Sequence, residues 1–206
     1  EYPVFHLSFG TGRFQNPDEL ERSLWDFIGN LEDMYGRKPN ASTMSNRFRS
    51  VIESAHEKTG RKVVVLIDEY DKPILDVLDS GEVIRTPEGN VKKLEDHHRE
   101  LLKGFYGVFK DADPHLRFVF LTGVTKFSQV SVFSGFNQAN DISLDARYEA
   151  LCGITKEELL TVFDGPIREL AEDLGQTFDE TVEQLKAQYD GYHFSARMTD
   201  IFNPFS

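Results

Sequence analysis

The sequence predicts an α/β fold in which a parallel sheet is followed by a helical region. The clearest sign is the unbroken apolar run 63–67, which is rich in β-branched residues and too short to cross a membrane. Such a run is typical of a strand buried on both faces inside a parallel sheet. Further apolar runs at 4–9 and 117–122 are separated from it by segments with helical spacing. This alternation favours parallel strands joined by crossover helices.

The helices between the first two strands have start and stop signals. Asn16 supplies an N-cap, Pro17 occupies the first helical position, and apolar residues follow at helical spacing as far as Leu31. A second helix is predicted over 42–58, and Gly60 is expected to end it. These two helices would form the crossover between the first two strands.

The rest of the chain is predicted to hold one long helix and then a helical region. The polar segment 79–90 is expected to be an exposed loop or flap, and 91–110 a helix. The short segment 142–144 is a candidate for a further parallel strand. Capping boxes at 155–158 and 177–180 each indicate the start of a later helix.

Charge and composition exclude several classes of protein. The net charge of −12 argues against a broad basic face, so no direct nucleic-acid binding is expected. No apolar run reaches membrane-spanning length. Cys152 is the single cysteine, which excludes an internal disulfide framework and a cysteine-rich zinc site and fits a buried packing role in a reduced, cytoplasmic protein. The adjacent His97 and His98 would point about 100° apart on a helix, so a solvated face is expected rather than a metal site.

Three acids crowd the carboxyl end of the central strand. Asp68 and Glu69 follow the apolar run directly, and Asp71 comes soon after. In α/β proteins ligands bind at this edge of the sheet, and a divalent cation commonly offsets the repulsion between carboxylates this close. In nucleotide hydrolases one acid here holds Mg²⁺ and a second orients the attacking water. The plainer alternative is that the acids belong to a solvated loop.

Polar residues after the next strand extend this candidate site. Thr122 ends the strand 117–122 and is expected beside Asp68, where its hydroxyl could touch the same water or phosphate. Lys126 follows closely and is a candidate cation for a phosphate group, as is Lys72; for both, a solvated loop lysine is the alternative. Within the 206 residues there is no phosphate loop of the form G-x-x-x-x-G-K followed by Ser or Thr.

Several segments together resemble a known family. They are 65–74, 117–128, 152–155, 189–194 and 203–206. Their combination resembles the AAA-ATPase-like proteins found widely in gut and anaerobic bacteria, and the resemblance covers nearly the whole chain. Full-length members of that family usually carry a nuclease-like domain of the PD-(D/E)XK type after the ATPase region.

The resemblance implies a fold and a set of roles. The fold is a parallel-sheet P-loop NTPase core of the additional-strand type over 1–152, incomplete at its N-terminus, with a C-terminal helical subdomain over 153–206. The implied cofactors are ATP and Mg²⁺. Asp68 matches the family's Mg²⁺-binding acid, Glu69 its water-activating acid, and Thr122 falls at the position of a polar sensor residue. The phosphate loop would lie upstream of the first strand and the nuclease-like domain after the last residue, so the chain is expected to be an internal fragment.

The sequence is compatible with two functions. The leading one is an ATPase core that hydrolyses ATP with Mg²⁺ in the intact protein, the fragment alone being inactive. The alternative is a non-enzymatic scaffold or switch module that keeps the fold and binds protein partners. A metal-dependent nuclease acting directly through the three acids is disfavoured by the acidic composition and by the lack of a paired strand ending in Glu-x-Lys. The family fold also predicts the strand order 4–9, 63–67, 117–122, with an unpaired outer edge that would make the fragment prone to associate.

Overall fold

The computed structural model describes the chain in four stretches, residues 1–86, 89–124, 140–189 and 191–203. The chain divides into two compact units, Glu1–Ala139 and Asn140–Ser206. A domain boundary after residue 152 stays a prediction, because compact units reflect packing and not function. In the described stretches no helix is both long enough and apolar enough to cross a membrane.

The first unit alternates strands and helices along the chain, in the manner of an α/β fold. Its elements are β1 (Val4–Ser8), α1 (Pro17–Tyr35), α2 (Met44–Thr59), β2 (Val63–Asp68), α3 (Lys72–Leu75), β3 (Val83–Arg85), β4 (Val91–Lys93), α4 (Leu94–Asp111) and β5 (Leu116–Leu121). A 3-10 turn, Asp113–His115, leads from α4 into β5.

The central element is a parallel sheet in which β2 lies between β1 and β5. Both neighbours run parallel to β2, with Val64 opposite Val4 on one side and Phe118 on the other. The predicted order of these three strands is confirmed. Among the described residues, the outer edge of β5 has no strand partner.

The two faces of this sheet differ in burial. Side chains alternate along a strand, so every second residue faces the same side. One face packs against α1, α2 and α4 and is buried, with Phe5, Leu7, Val63, Val65 and Ile67. The other face carries apolar and polar side chains, His6 among them, and is partly open to solvent, since Val4 is 51% exposed and Phe118 52% exposed.

Capping explains the boundaries of the first two helices. The Asn16 side chain accepts a hydrogen bond from Asp18 N at 3.0 Å, and Pro17 opens α1. Gly60 ends α2 with a φ of +66°, and its N–H donates to His56 O at 2.8 Å. The predicted start of α1 and the predicted end of α2 are therefore confirmed.

The segment between α3 and α4 differs from its prediction. β3 and β4 pair as an antiparallel hairpin, so 79–90 is not only a loop, and the long helix begins at Leu94 rather than at Val91. The N–H of Leu94 donates to Glu82 O at 2.9 Å, which joins the hairpin to the start of the helix. Cross-strand pairing prevails here over helical spacing, because β structure depends on neighbours that spacing does not reveal.

The second unit is mainly helical. Its elements are β6 (Ile154–Thr155), α5 (Lys156–Val162), α6 (Asp164–Leu174), α7 (Phe178–Tyr189) and β7 (Ile201–Phe202). β6 and β7 pair antiparallel. The helices and β7 share a small buried cluster formed by Leu159, Ile167, Val182 and Phe202.

Both predicted capping boxes in this unit are confirmed. Thr155 N donates to Glu158 Oε2 at 2.9 Å, and Glu158 N donates to Thr155 Oγ1 at 3.2 Å. Thr177 and Glu180 repeat the pattern at 2.8 Å and 3.3 Å. Each box satisfies two backbone donors that would otherwise lack partners at a helix start.

Two other expectations for this unit are wrong. The segment 142–144 is a turn and not a strand, since Asp145 N donates to Ile142 O at 3.1 Å. Asp141 Oδ1 also accepts from Ser143 N at 3.0 Å, a local bond that favours turns over strands. Cys152 is exposed rather than buried, because it lies in a bend just before β6.

The open face of the sheet predicts that the chain associates with itself. Exposed apolar sheet surface favours contact with a second apolar surface. We expect Phe118→Lys, which places a charge on that face, to shift the chain toward the monomer in sedimentation equilibrium. Val83→Lys is the matched control, since Val83 is 56% exposed but lies on the β3–β4 hairpin. A wild-type chain that stays monomeric, or an equal shift for both variants, would contradict the prediction.

Candidate functional site

The carboxyl ends of β1, β2 and β5 form one edge of the sheet, and backbone hydrogen bonds continue beyond the strands. Thr122 N donates to Ile67 O at 2.9 Å, and Tyr70 N donates to Thr122 O at 2.9 Å. On the other side, Phe9 N donates to Asp68 O at 3.1 Å. The residues that follow β2 are therefore held on both sides by neighbouring strands.

Asp68 and Thr122 are in contact at this edge. The Thr122 hydroxyl donates a hydrogen bond to Asp68 Oδ1. Asp68 is exposed, and no described residue forms a hydrogen bond with its second carboxylate oxygen. The structure thus brings these two predicted site residues together and leaves one carboxylate oxygen open to a ligand.

Glu69 has an unusual backbone conformation. Its φ is +53°, in the left-handed region that a non-glycine residue adopts at a cost of about 1–2 kcal/mol. The Glu69 carboxylate lies against the loop that follows β1, because a Cβ built on Gly10 would be only 3.2 Å from Glu69 Oε1. Strained backbone of this kind is often found at functional sites.

Asp71 is buried beneath the same edge, at 1% exposed. Gly123 lies directly over it, since an added Cβ would be 2.6 Å from Asp71 Oδ1 and 2.6 Å from Tyr70 Cε1. The hydroxyl of the buried Tyr106 donates to Tyr70 O at 3.3 Å. Burial, with a contribution from Tyr70 and Asp71, raises the pKa of Tyr106 well above its usual value, so this hydroxyl remains a donor.

The three acids do not form one cluster, which corrects the expectation that they crowd together. Asp68 contacts β5, Glu69 contacts the loop after β1, and Asp71 is buried. The part of the chain that the structure describes has no group of three or more His, Cys, Asp or Glu side chains placed to hold a metal ion.

The two candidate lysines have different outcomes. Lys72 Nζ lies 2.8 Å from Asp76 Oδ1, so this lysine is paired within its own turn of the chain. Lys126 lies outside the described residues, and its role as a phosphate-binding cation stays a prediction.

His98 contradicts the expectation of a solvated helix face. It is fully buried on α4, and its Nε2 lies 2.7 Å from Phe14 O. Burial lowers the pKa of His98, which the bond to Phe14 partly opposes. His98 lies one turn after Leu94 and one turn before Leu102, on the apolar stripe of α4. That spacing is a sequence signal for burial, although it does not identify the hydrogen-bond partner.

Comparisons with known proteins agree with this architecture. Residues 1–133 match the model of a family described as predicted AAA-ATPase. The chain belongs to this family. The resemblance drawn from the quoted segments is therefore confirmed. A relative from Azotobacter chroococcum mcd 1, described as an uncharacterized protein in the vnfD 5′ region, is 37% identical over 204 residues.

The AAA-ATPase-like chain corresponds to only part of this relative. The aligned region is 99% of the chain but 35% of the relative's length. No solved structure matches the chain. The parallel three-stranded sheet is compatible with a P-loop-like core.

The close approach at Gly123 gives a stability prediction. We expect Gly123→Ala to lower the free energy of unfolding by about 1–3 kcal/mol, because the added Cβ overlaps Asp71 and Tyr70. Gly107→Ala on α4 is the matched control, since nothing lies within 4 Å of its added Cβ and helix propensity predicts a gain of about 0.5–1 kcal/mol. Urea denaturation measures both, and equal effects would show that the strand end is loosely packed.

Burial of His98 predicts a fold that weakens in acid. Its folded-state pKa lies below the usual 6.5, so the folded protein binds fewer protons than the unfolded chain. The contribution of His98 to the free energy of unfolding therefore falls as the pH drops through 6.5 toward the folded pKa, by at most about 1.4 kcal/mol per pH unit. We expect His98→Gln to flatten this slope in urea denaturation. The same slope for wild type and His98→Gln would contradict the prediction.

Proposed function

We propose that this chain supplies the hydrolytic side of a Mg²⁺-dependent ATPase site that is completed in the intact protein. One observation carries the proposal: the exposed Asp68 carboxylate is hydrogen-bonded by Thr122 from the neighbouring parallel strand, directly before the strained Glu69. This edge of a parallel sheet is where α/β proteins bind ligands. Membership of the predicted AAA-ATPase family supports a nucleotide as that ligand.

The oxygen chemistry at Asp68 fits Mg²⁺. In nucleotide sites Mg²⁺ is held by one or two carboxylates, while phosphate oxygens and waters complete its octahedral shell. Asp68 would offer one carboxylate oxygen to the ion, and phosphate oxygens and waters would fill the other coordination positions. The Thr122 hydroxyl holds this carboxylate in one orientation by donating to Oδ1. When bound, the ion would neutralise charge on the phosphates.

Glu69 would act on the attacking water. Glu69 is half-buried, and its carboxylate lies close to Gly10 at the sheet edge. A carboxylate in this position accepts a hydrogen bond from the water and takes its proton as the oxygen attacks phosphorus. Positioning and electrostatic stabilisation supply most of the catalysis in phosphoryl transfer, and the backbone bonds around β2 provide that positioning.

We further propose that the phosphate loop comes from another part of a longer polypeptide. The 206 residues contain no such loop, and the relative is much longer than the chain. The isolated chain is then expected to be inactive, with Lys126 as an additional phosphate contact in the complete site. A nuclease-like domain in the same polypeptide and a cytoplasmic location belong to this proposal.

Glu69→Gln in the full-length protein tests the function. We expect kcat for ATP hydrolysis to fall about 100-fold or more, because an amide cannot take the proton from water. ATP binding, measured by calorimetry, should be retained. Cys152→Ser is the control and should keep wild-type turnover, since the thiol is exposed and the sequence has no second cysteine. Unchanged turnover in Glu69→Gln would remove the role assigned to Glu69, whereas a wild-type full-length protein without turnover would favour the scaffold or switch function.

A further inference from the structure

The loop after β1, residues 9–16, is held at one point from two sides. Phe14 N donates to Asp76 Oδ2 at 3.1 Å, and Phe14 O lies 2.7 Å from His98 Nε2. Asp76 directly follows α3, and His98 lies on α4. Two distant parts of the chain therefore bind the N–H and the C=O of the same residue.

The two hydrogen bonds that Phe14 forms with Asp76 and His98, here called the clamp, are made by a buried residue of the loop. His98 is fully buried and Phe14 is 1% exposed. The Phe14 ring packs edge-on against Phe9, with ring centroids 5.6 Å apart. The loop folds back over the Phe14 ring at Gly12, where an added Cβ would be 2.2 Å from that ring. Close packing therefore holds the loop at Phe14 and Phe9, although most of its other residues are exposed.

His98 can donate to Phe14 in its neutral form. Its pKa is lowered chiefly by burial, which favours the uncharged imidazole. A neutral imidazole has one N–H donor, and the carbonyl of Phe14 can only accept, so Nε2 carries the proton. In the clamp, His98 therefore donates to the C=O of Phe14, and Asp76 accepts from the N–H of the same residue.

The same loop borders the site at its other end. Gly10 N donates to Ser8 Oγ at 3.3 Å, and the backbone of Gly10 lies against the Glu69 carboxylate. The position of Gly10 therefore limits where that carboxylate can lie. Asp76 is also bound to Lys72, so the turn that follows Glu69 and the loop after β1 share one anchor.

We propose that His98 and Asp76 are positioning residues of the hydrolytic site, which hold the loop after β1 so that Gly10 confines the Glu69 carboxylate. This inference rests on the proposed ATPase function. The buried hydrogen bond between His98 and Phe14 then affects catalysis as well as packing. Neither residue touches the nucleotide; both act through the loop.

His98→Leu and His98→Gln in the full-length protein separate positioning from packing. Leucine removes the donor, whereas glutamine keeps an N–H donor at a similar reach. We expect His98→Leu to lower kcat by at least about tenfold with little change in KM for ATP, since small displacements of a catalytic group are costly. His98→Gln should recover most of kcat. Leu102→Ala, one turn further along α4 in the same core, controls for lost stability and should keep kcat per folded molecule.

Amide hydrogen exchange in the same proteins measures how well the loop is held, independently of catalysis. We expect His98→Leu to increase exchange over residues 10–14, and Leu102→Ala to leave this segment unchanged relative to the rest of the unit. Unchanged exchange in His98→Leu, or increased exchange with unchanged kcat, would overturn the positioning role alone. A wild-type protein without ATP turnover would overturn the ATPase function as well.

Discussion

The parallel pairing of β2 with β1 and β5 is the constraint on which the site depends. Parallel strands end at the same edge of a sheet, so residues far apart in sequence meet there without a local motif. Asp68 and Thr122 are 54 positions apart, and their contact exists because β2 and β5 run in the same direction. The backbone bonds beyond the strand ends extend this order into the turn that carries Glu69. An antiparallel β5 would place Thr122 at the opposite edge and leave no site.

The side chains of Asp68, Glu69 and Asp71 lie in three different environments. Asp68 and Glu69 are adjacent in sequence, yet the left-handed backbone at Glu69 sends their side chains toward different neighbours of β2. Asp71 is buried and belongs to the packing beneath Gly123. In the proposed site, Asp68 would bind the cation and Glu69 the water, while nucleotide phosphates would provide the remaining metal ligands. A binuclear nuclease centre would need a denser set of carboxylates.

The three parallel strands could be predicted from their apolar runs, and the proximity of Asp68 and Thr122 from parallel geometry, whereas the order of these strands was implied by the family resemblance. The bond between His98 and Phe14 could not be predicted, since it joins residues 84 positions apart and follows no spacing rule. The conformation of Glu69 likewise depends on neighbouring strands and not on the residue itself. The β3–β4 hairpin could not be predicted, because β3 lies in a polar segment typical of a loop and β4 in a segment with helical spacing. Short strands depend on their pairing partners, which local sequence does not reveal. Local polar bonds, which compete with strand pairing, explain the turn at 142–144.

The Mg²⁺ dependence of ATP hydrolysis by full-length Asp68→Asn tests the central claim most directly. Asparagine keeps an oxygen that accepts from Thr122 but loses the charge that binds the cation, so the fold and the hydrogen bond are preserved. We expect the half-saturating Mg²⁺ concentration to rise at least about tenfold, which corresponds to about 1.4 kcal/mol of lost cation binding. Turnover by Asp68→Asn with the Mg²⁺ dependence of the wild type would contradict it.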